Sequence, residues 1–344
     1  MSRRIFVHST GAVCGFGEGR DTLLEGVFAG DSALRPLQRL RADTEVAAEV
    51  PADWADATGL ARRALDECGR TDAMILATTK ADLAGVVGEG SGHGSPALLA
   101  QRLGANAAVS CACASGLTAI ALAARWIRTN KADRVTVVGV DVLNDFILDG
   151  FAGLLALDEH ACRPYDRTRE GLSLGDGAGA IVLGAEPSDI ELAGWGESND
   201  ATHVTAPDRE GKGLARAARF ALERAGLQAG DVDYIHGHGT GTEFNDAMEG
   251  QALGLLYPGA TPPFSSSKAQ LGHTLGAAGV LESIIAIEAL RRATAPPNVR
   301  LDETDLATNI TLPRAPTPLA RARVALKWSA GFGGINAALV FRAA

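Results

Sequence analysis

The chain has 344 residues, 46% of them hydrophobic and 21% charged, with a formal net charge of −9. That much apolar material excludes a disordered chain, and the acidic balance excludes general nucleic-acid binding. No apolar run reaches the ~18–20 residues of a membrane span, and five scattered cysteines in so long a chain do not form a disulfide framework.

The start, Met1-Ser2-Arg3-Arg4-Ile5-Phe6-Val7, lacks the apolar core of a leader and runs into a strand over 5–13. The default setting is therefore cytoplasmic. A glycine turn, Gly15-Phe16-Gly17, and a short helix over 21–28 follow. Residues 31–57 read as loop with one edge strand near 45–50. An amphipathic helix spans 59–68, a short buried strand 73–78, and a glycine-rich loop 85–95. Ser95 then caps a helix opened by Pro96. Ala107-Ala108-Val109 ends a buried strand, and 117–127 has apolar residues at helical spacing. A β-branched run over 134–143 predicts a central strand, 144–157 a helix, and the glycine turn at 175–180 leads into another strand.

From residue 190 the order of elements restarts: strand 190–196, helix 213–225, strand 233–236, long helix 276–291, then strands 324–329 and 335–342. The pattern predicts two similar α/β halves, 1–186 and 187–344. Parallel strands collect ligand sites at their carboxyl ends, where all the glycine-rich turns fall.

Four of those turns carry chemistry. In Ser110-Cys111-Ala112-Cys113-Ala114-Ser115-Gly116, small residues join a strand to a helix. Unpaired N–H groups at the helix start favour a thiolate at Cys113. Cys111 lies two residues earlier, on the strand side, and is the weaker candidate. His238 follows a buried strand in His238-Gly239-Thr240-Gly241-Thr242. Lys268 and His273 lie five apart in Ser266-Ser267-Lys268-Ala269-Gln270-Leu271-Gly272-His273. Phe332 sits in Gly331-Phe332-Gly333-Gly334. Singly, a free cysteine reads as a small buried hydrophobe and a lone histidine as a core residue. His236, on the strand itself, keeps that structural reading. His236 and His238 find no third metal ligand at a recognisable spacing, so no metal is expected.

Together these motifs, with Arg163-Pro164-Tyr165-Asp166 and Gly175-Asp176-Gly177-Ala178-Gly179-Ala180, closely resemble the β-ketoacyl-acyl carrier protein synthases of the thiolase-fold superfamily, over essentially the whole chain. The resemblance implies a layered αβαβα core and a role for each matching residue. Cys113 stands where the acyl-accepting nucleophile stands. His238 and His273 match the histidines that hold the malonyl thioester, and Lys268 matches the lysine that supports the second histidine site. Phe332 matches a gating residue whose N–H joins that of Cys113 in an oxyanion hole. Glu249 matches an acid that orders the lysine region, and Thr240, Thr242 and Gly333 are supporting positions. The implied reaction is decarboxylative condensation of an acyl group on Cys113 with malonyl-acyl carrier protein. No cofactor is implied beyond the carrier's phosphopantetheine.

The implied partners are an acyl carrier protein and a second copy of the chain, or a related chain in a heterodimer. Arg163, Arg167 and Arg169, or the basic residues from Arg125 to Arg134, are either a carrier-docking patch or an ordinary solvated face. Two alternatives stand beside the main reading: a chain-length-determining partner subunit, and a non-decarboxylating acyltransferase of the same fold. Thiolases use a second cysteine near the C-terminus, and none follows Cys162 here. The chain departs from the family pattern in being short before Cys113. It also has Trp328 for asparagine, Ala330 for phenylalanine, Ile335 for threonine and Glu243-Phe244 for a proline-containing pair.

Overall fold

The computed structural model describes residues 3–40, 44–81, 94–307 and 309–344. The glycine-rich loop expected over 85–95 lies mostly outside them. In chain order the main elements are β1 (Phe6–Cys14), α1 (Arg20–Ala29), α2 (Ala57–Cys68), β2 (Met74–Ala77), α3 (Pro96–Leu103), β3 (Ala107–Val109), α4 (Ser115–Arg128), β4 (Arg134–Asp141), α5 (Asp145–Gly153) and β5 (Gly177–Gly184). There follow β6 (Ile190–Asn199), α6 (Lys212–Ala225), β7 (Tyr234–His236), α7 (Glu243–Leu256), β8 (Phe264–Ser265), α8 (Lys268–Leu271), α9 (Ala278–Arg291), β9 (Val324–Gly331) and β10 (Ile335–Ala343).

The strands run β8-β7-β9-β10-β6-β1-β5-β4-β2-β3 in one sheet. Residues up to β5 use the order third-second-fourth-fifth-first, and so do those from β6 on. Pairing directions repeat as well: the second strand is parallel to the third and fourth, and the fifth is antiparallel to the fourth and first. Two residue pairs, Phe6 with Glu191 and Val7 with Ile190, join the two sets.

The layers follow from which faces are apolar. Helix α2 packs its Leu60, Ala61, Ala64 and Leu65 onto one outer face with α3, over Val13, Leu76, Val138 and Ala180. Helices α6 and α7 cover the opposite outer face. Between the two sets of strands lie α4 and α9, which touch strands of both. The result is the αβαβα core of the thiolase-like fold. Helix α9 is buried on every side except near its end, as its almost uninterrupted apolar run requires.

Glycine sets how closely α4 and α9 cross. A Cβ on Gly116 would lie 2.8 Å from Val280 N and 2.9 Å from Gly279 Cα. Only a pair of bare backbones fits there, and the crossing brings the start of α4 beside the segment that leads into α9.

Most predicted elements stand within a residue or two. Asp56 caps α2 and Ser95 caps α3, each accepting a backbone N–H three residues on. The helix expected over 144–157 stops at Gly153, freeing Leu154, Leu155 and Ala156 to line the site. The long helix expected from 276 begins with a 3₁₀ turn, Leu275–Ala277. Helix α7 was not predicted. Its polar and apolar residues lack a clean period because the side chains facing the site are themselves polar: Asn245, Asp246 and Glu249 are buried.

Candidate active site

Strand β3 ends at Val109, and four residues later Cys113 precedes Ala114, the cap of α4. The turn is sharp. Ala112 takes φ +48, a left-handed conformation that side chains disfavour. Ser115 Oγ holds it by accepting Cys111 N–H at 2.8 Å and donating to Ala112 O at 2.6 Å. Cys113 is thereby turned inward, 8% exposed, onto a cavity of about 440 Å³.

The second set of strands supplies the histidines. His238 follows β7 and His273 follows α8, at the carboxyl ends of β7 and β8 as expected. His273 Nε2 lies 3.0 Å from Cys113 Sγ, and the two imidazoles stand edge to face with centroids 5.2 Å apart. Leu275 N–H donates to His273 Nδ1 at 3.2 Å, from a residue itself held at φ +50. The proton of neutral His273 therefore sits on Nε2, facing the sulfur. Lys268 Nζ lies 3.3 Å from His238 Nδ1 and 2.5 Å from His238 O. An ammonium only donates, so His238 likewise keeps its proton on Nε2. Burial, then the charge of Lys268, hold both imidazoles well below the ordinary histidine range. The site thus presents two neutral N–H donors at neutral pH.

The thiolate expected at Cys113 is not the resting form. The helix start is where the sequence puts it, and Lys268 pulls the thiol down, but burial, joined by the charges of Asp141 and Glu282, pushes it up to about 11. Cys111 is half-buried, also pushed up by burial, and meets neither imidazole.

The counter-ion of Lys268 is a residue that no sequence motif singles out. Glu282, in the first turns of α9, accepts from Lys268 Nζ at 2.6 Å. Burial alone would raise Glu282, yet Lys268 and Lys327 bring it to about 2. Glu249 serves the histidine loop instead. It accepts the backbone N–H groups of His238 and Gly239, both at 2.6 Å, and Trp328 Nε1–H at 2.6 Å. Trp328, the departure from asparagine, is thus the indole that satisfies this carboxylate. Neither Glu282 nor Lys327 is singled out in the sequence. A signal exists for Lys327, the one lysine inside the apolar strand β9, whereas Glu282 is one of two acids in α9 and carries none of its own.

Phe332 lines the cavity, its ring 5.9 Å from that of Phe151. A Cβ on Gly331 would lie 3.2 Å from the backbone nitrogens of Cys113 and Ala114, so the turn carrying Phe332 runs against the nucleophile's own backbone. Gly333 has φ +81 and donates to Val204 O at 2.6 Å. Thr240 and Thr242 line the cavity, their hydroxyls 2.9 Å apart. Phe244, noted as a departure from the family pattern, also lines it, as do His203 and Leu155, which carried no sequence signal.

The donor atoms of Cys113, His238 and His273 lie within 4.8 Å of one another, so space supplies the third metal ligand that sequence spacing lacked. Chemistry opposes a metal: both facing nitrogens carry protons and an ammonium stands behind them. Among the arginines weighed as a docking patch, Arg169 is buried on Asp305, Arg167 pairs with Glu303, Arg125 with Glu197 and Arg134 with Glu186.

Residues 79–187 match the family model "Beta-ketoacyl synthase, N-terminal domain" and 190–302 the corresponding "C-terminal domain". The 3-oxoacyl-[acyl-carrier-protein] synthase 2 of Rhizobium meliloti is 34% identical, covering 95% of this chain and 86% of the relative. The chain belongs to the β-ketoacyl synthase family. A second relative of the same name, from Coxiella burnetii, is 29% identical over 98% of both chains. Among solved structures, a β-ketoacyl synthase from Burkholderia phymatum superposes with TM-score 0.88 at 26% identity, and the ishigamide ketosynthase/chain length factor with 0.87 at 28%; each covers all of both chains. Among the described residues no helix is long and apolar enough to cross a membrane.

Proposed function

We propose that this β-ketoacyl synthase performs decarboxylative condensation: an acyl group rests on Cys113 and is extended by malonyl-acyl carrier protein. The observation that carries the reading is the facing of one buried thiol by two neutral imidazole N–H groups over a single cavity. In the first step the Cys113 sulfur attacks the carrier thioester, and its proton leaves with the carrier thiol, so no net base is consumed. In the second, malonyl thioester loses CO₂. The negative charge that develops on its carbonyl oxygen is met by the Nε2–H groups of His238 and His273. The resulting carbon nucleophile attacks the Cys113 thioester, whose oxyanion is held by the N–H groups of Cys113 and Phe332. The sulfur departs beside His273 and takes up one proton from solution. Each donor of this type typically contributes about 3 kcal/mol to such a step.

The His238–His273 pair favours this reading over simple acyl transfer, which needs no enolate stabilisation, and the intact Cys113 favours it over a non-catalytic chain-length subunit. The carrier's phosphopantetheine is the only prosthetic group the reading requires. Five free cysteines fit a reducing, cytoplasmic setting. The outer edge of β3 is unpaired among the described residues, with Ala108 exposed, and suits strand pairing with a second copy or a related chain.

Intact-protein mass spectrometry with acyl-carrier thioesters tests the assignment. Natural protein is expected to gain one acyl group and Cys113→Ala none, and natural protein releases CO₂ from malonyl carrier. Full acylation of the Ala variant, or acylation without CO₂ release by natural protein, would overturn it.

A further inference from the structure

A second buried lysine stands behind the histidines. Lys327 lies on β9 and is fully buried. Its Nζ is 2.8 Å from Glu282 Oε2, while Lys268 holds Oε1 of the same carboxylate at 2.6 Å. The same ammonium donates to Gly237 O at 3.1 Å, one residue before His238, and to Trp328 O, four residues before Phe332. Ser329 Oγ completes its contacts at 3.4 Å. One side chain thus ties together α9, the end of β7 that presents His238, and the strand that leads to the gating turn.

We infer that Lys327 is a positioning residue for decarboxylation, sharing Glu282 with Lys268 and pinning the His238 strand end so that both imidazoles stay neutral donors. The inference rests on the condensing reading and adds to it a second cation. If Lys268 alone faced Glu282, the two charges would largely cancel and leave little positive potential at the rings. With two ammoniums on one carboxylate, that potential persists where negative charge develops. Both lysines depress His238 and His273, after burial. An apolar side chain at 327 would leave Glu282 Oε2 without its counter-ion and the carbonyls of Gly237 and Trp328 buried without this donor, a costly state for polar groups.

The titratable groups facing Lys327 are Glu282 from α9, Lys268 from α8, Glu249 from α7 and His236 from β7. Among these, His236 is itself neutral, brought by burial to about 3. Burial pulls Lys327 down to about 8 against the opposing pull of Glu282. Its charge is therefore present below about pH 8 and lost above it.

The test is CO₂ release from malonyl carrier without an acyl donor, followed from pH 6 to 9.5, beside Cys113 acylation measured by mass. Natural protein is expected to lose decarboxylation above about pH 8. Lys327→Met should lower decarboxylation at pH 7 ten- to hundredfold more than it lowers acylation, with no further alkaline loss. Lys327→Arg, whose charge does not titrate in this range, should restore the pH 7 rate to within about threefold and abolish the alkaline fall. A Met variant with the natural ratio of decarboxylation to acylation and the natural profile would overturn the inference. Should the Met variant not fold, the Arg variant decides: an undiminished alkaline fall in it overturns the inference equally. Absence of CO₂ release from natural protein instead defeats the condensing reading itself.

Discussion

The two halves of the sheet share a strand order and pairing directions but equip the same topological position in opposite ways. After its third strand the first half makes a tight turn and offers a neutral thiol, positioned almost entirely by shape: a left-handed Ala112, a serine clasp and a glycine-to-glycine helix crossing. After its third strand the second half offers Lys268 and, five residues on, His273, positioned by charge. Around them it buries Glu282, Lys327, Glu249 and Asp246, all almost fully enclosed. A nucleophile needs to be aimed and dry. Donors for a developing negative charge need fixed tautomers and a positive background. Duplicated architecture can meet both needs because the carboxyl ends of equivalent strands converge on one cavity.

The contrast is open to attack from the charged side first. Glu282→Gln would leave two buried ammoniums facing a neutral amide. Breaking a buried ion pair from one side typically costs about 3–5 kcal/mol, and the equilibrium denaturation midpoint should fall accordingly. A loss under about 1 kcal/mol, an effect expected only of exposed pairs, would mean that charge does not organise this half. The shape-built half should respond less. In an open helix, Gly116→Ala would stabilise by about 1 kcal/mol. Here the new methyl meets Val280 N at 2.8 Å, and overpacking of that kind typically costs about 1–3 kcal/mol. Net destabilisation in chemical denaturation, with slower acylation of Cys113, is the expected sign. A net gain would mean that the α4–α9 crossing is free to relax and does not aim the thiol.

The same division decides what was legible in the sequence. Strands, helix starts and the four special turns were readable because they rest on local chemistry: Ser95 before Pro96, apolar runs ending in glycine, Cys113 at a strand–helix joint. Cys113, His238, His273 and Lys268 were singled out, and the fold brings them to one cavity. Long-range polar pairing was not readable. Glu282 is fourteen residues from Lys268 and forty-five from Lys327, and nothing local marks it as the acid between them. Glu249 was legible as an acid that orders the lysine region, but its route through the backbone of His238, whose N–H it accepts, was not. Trp328 stood out only as a departure, and its indole proves to be a donor to Glu249. Helix α7 was hidden because its inward face is polar for the sake of the site.

The smallest expected effect is the sharpest test of how shape and charge balance at the sulfur itself. Opposing influences act on Cys113. The ammonium of Lys268 favours the anion, as a helix start does in general; burial, joined by the carboxylates of Asp141 and Glu282, favours the thiol, which stands at about 11. An exposed cysteine ionises near 8.5, so at pH 7 this sulfur should be some two decades poorer in anion than an exposed one. Alkylation by iodoacetamide, followed by mass, should then be slow at pH 7 and quicken about tenfold per pH unit, with no plateau below about pH 10, because each unit deprotonates tenfold more of a mostly neutral group. Cys111 supplies a second reactive position, so the modified peptide must be sequenced or the assay run in a Cys111→Ala background. A plateau near pH 7 would show that helix start and lysine together outweigh burial, and that the nucleophile is prepared by charge as its partners are. A rising profile places the activation of Cys113 with the arriving thioester, whose departing thiol takes the proton, and leaves the standing charges to the histidine half alone.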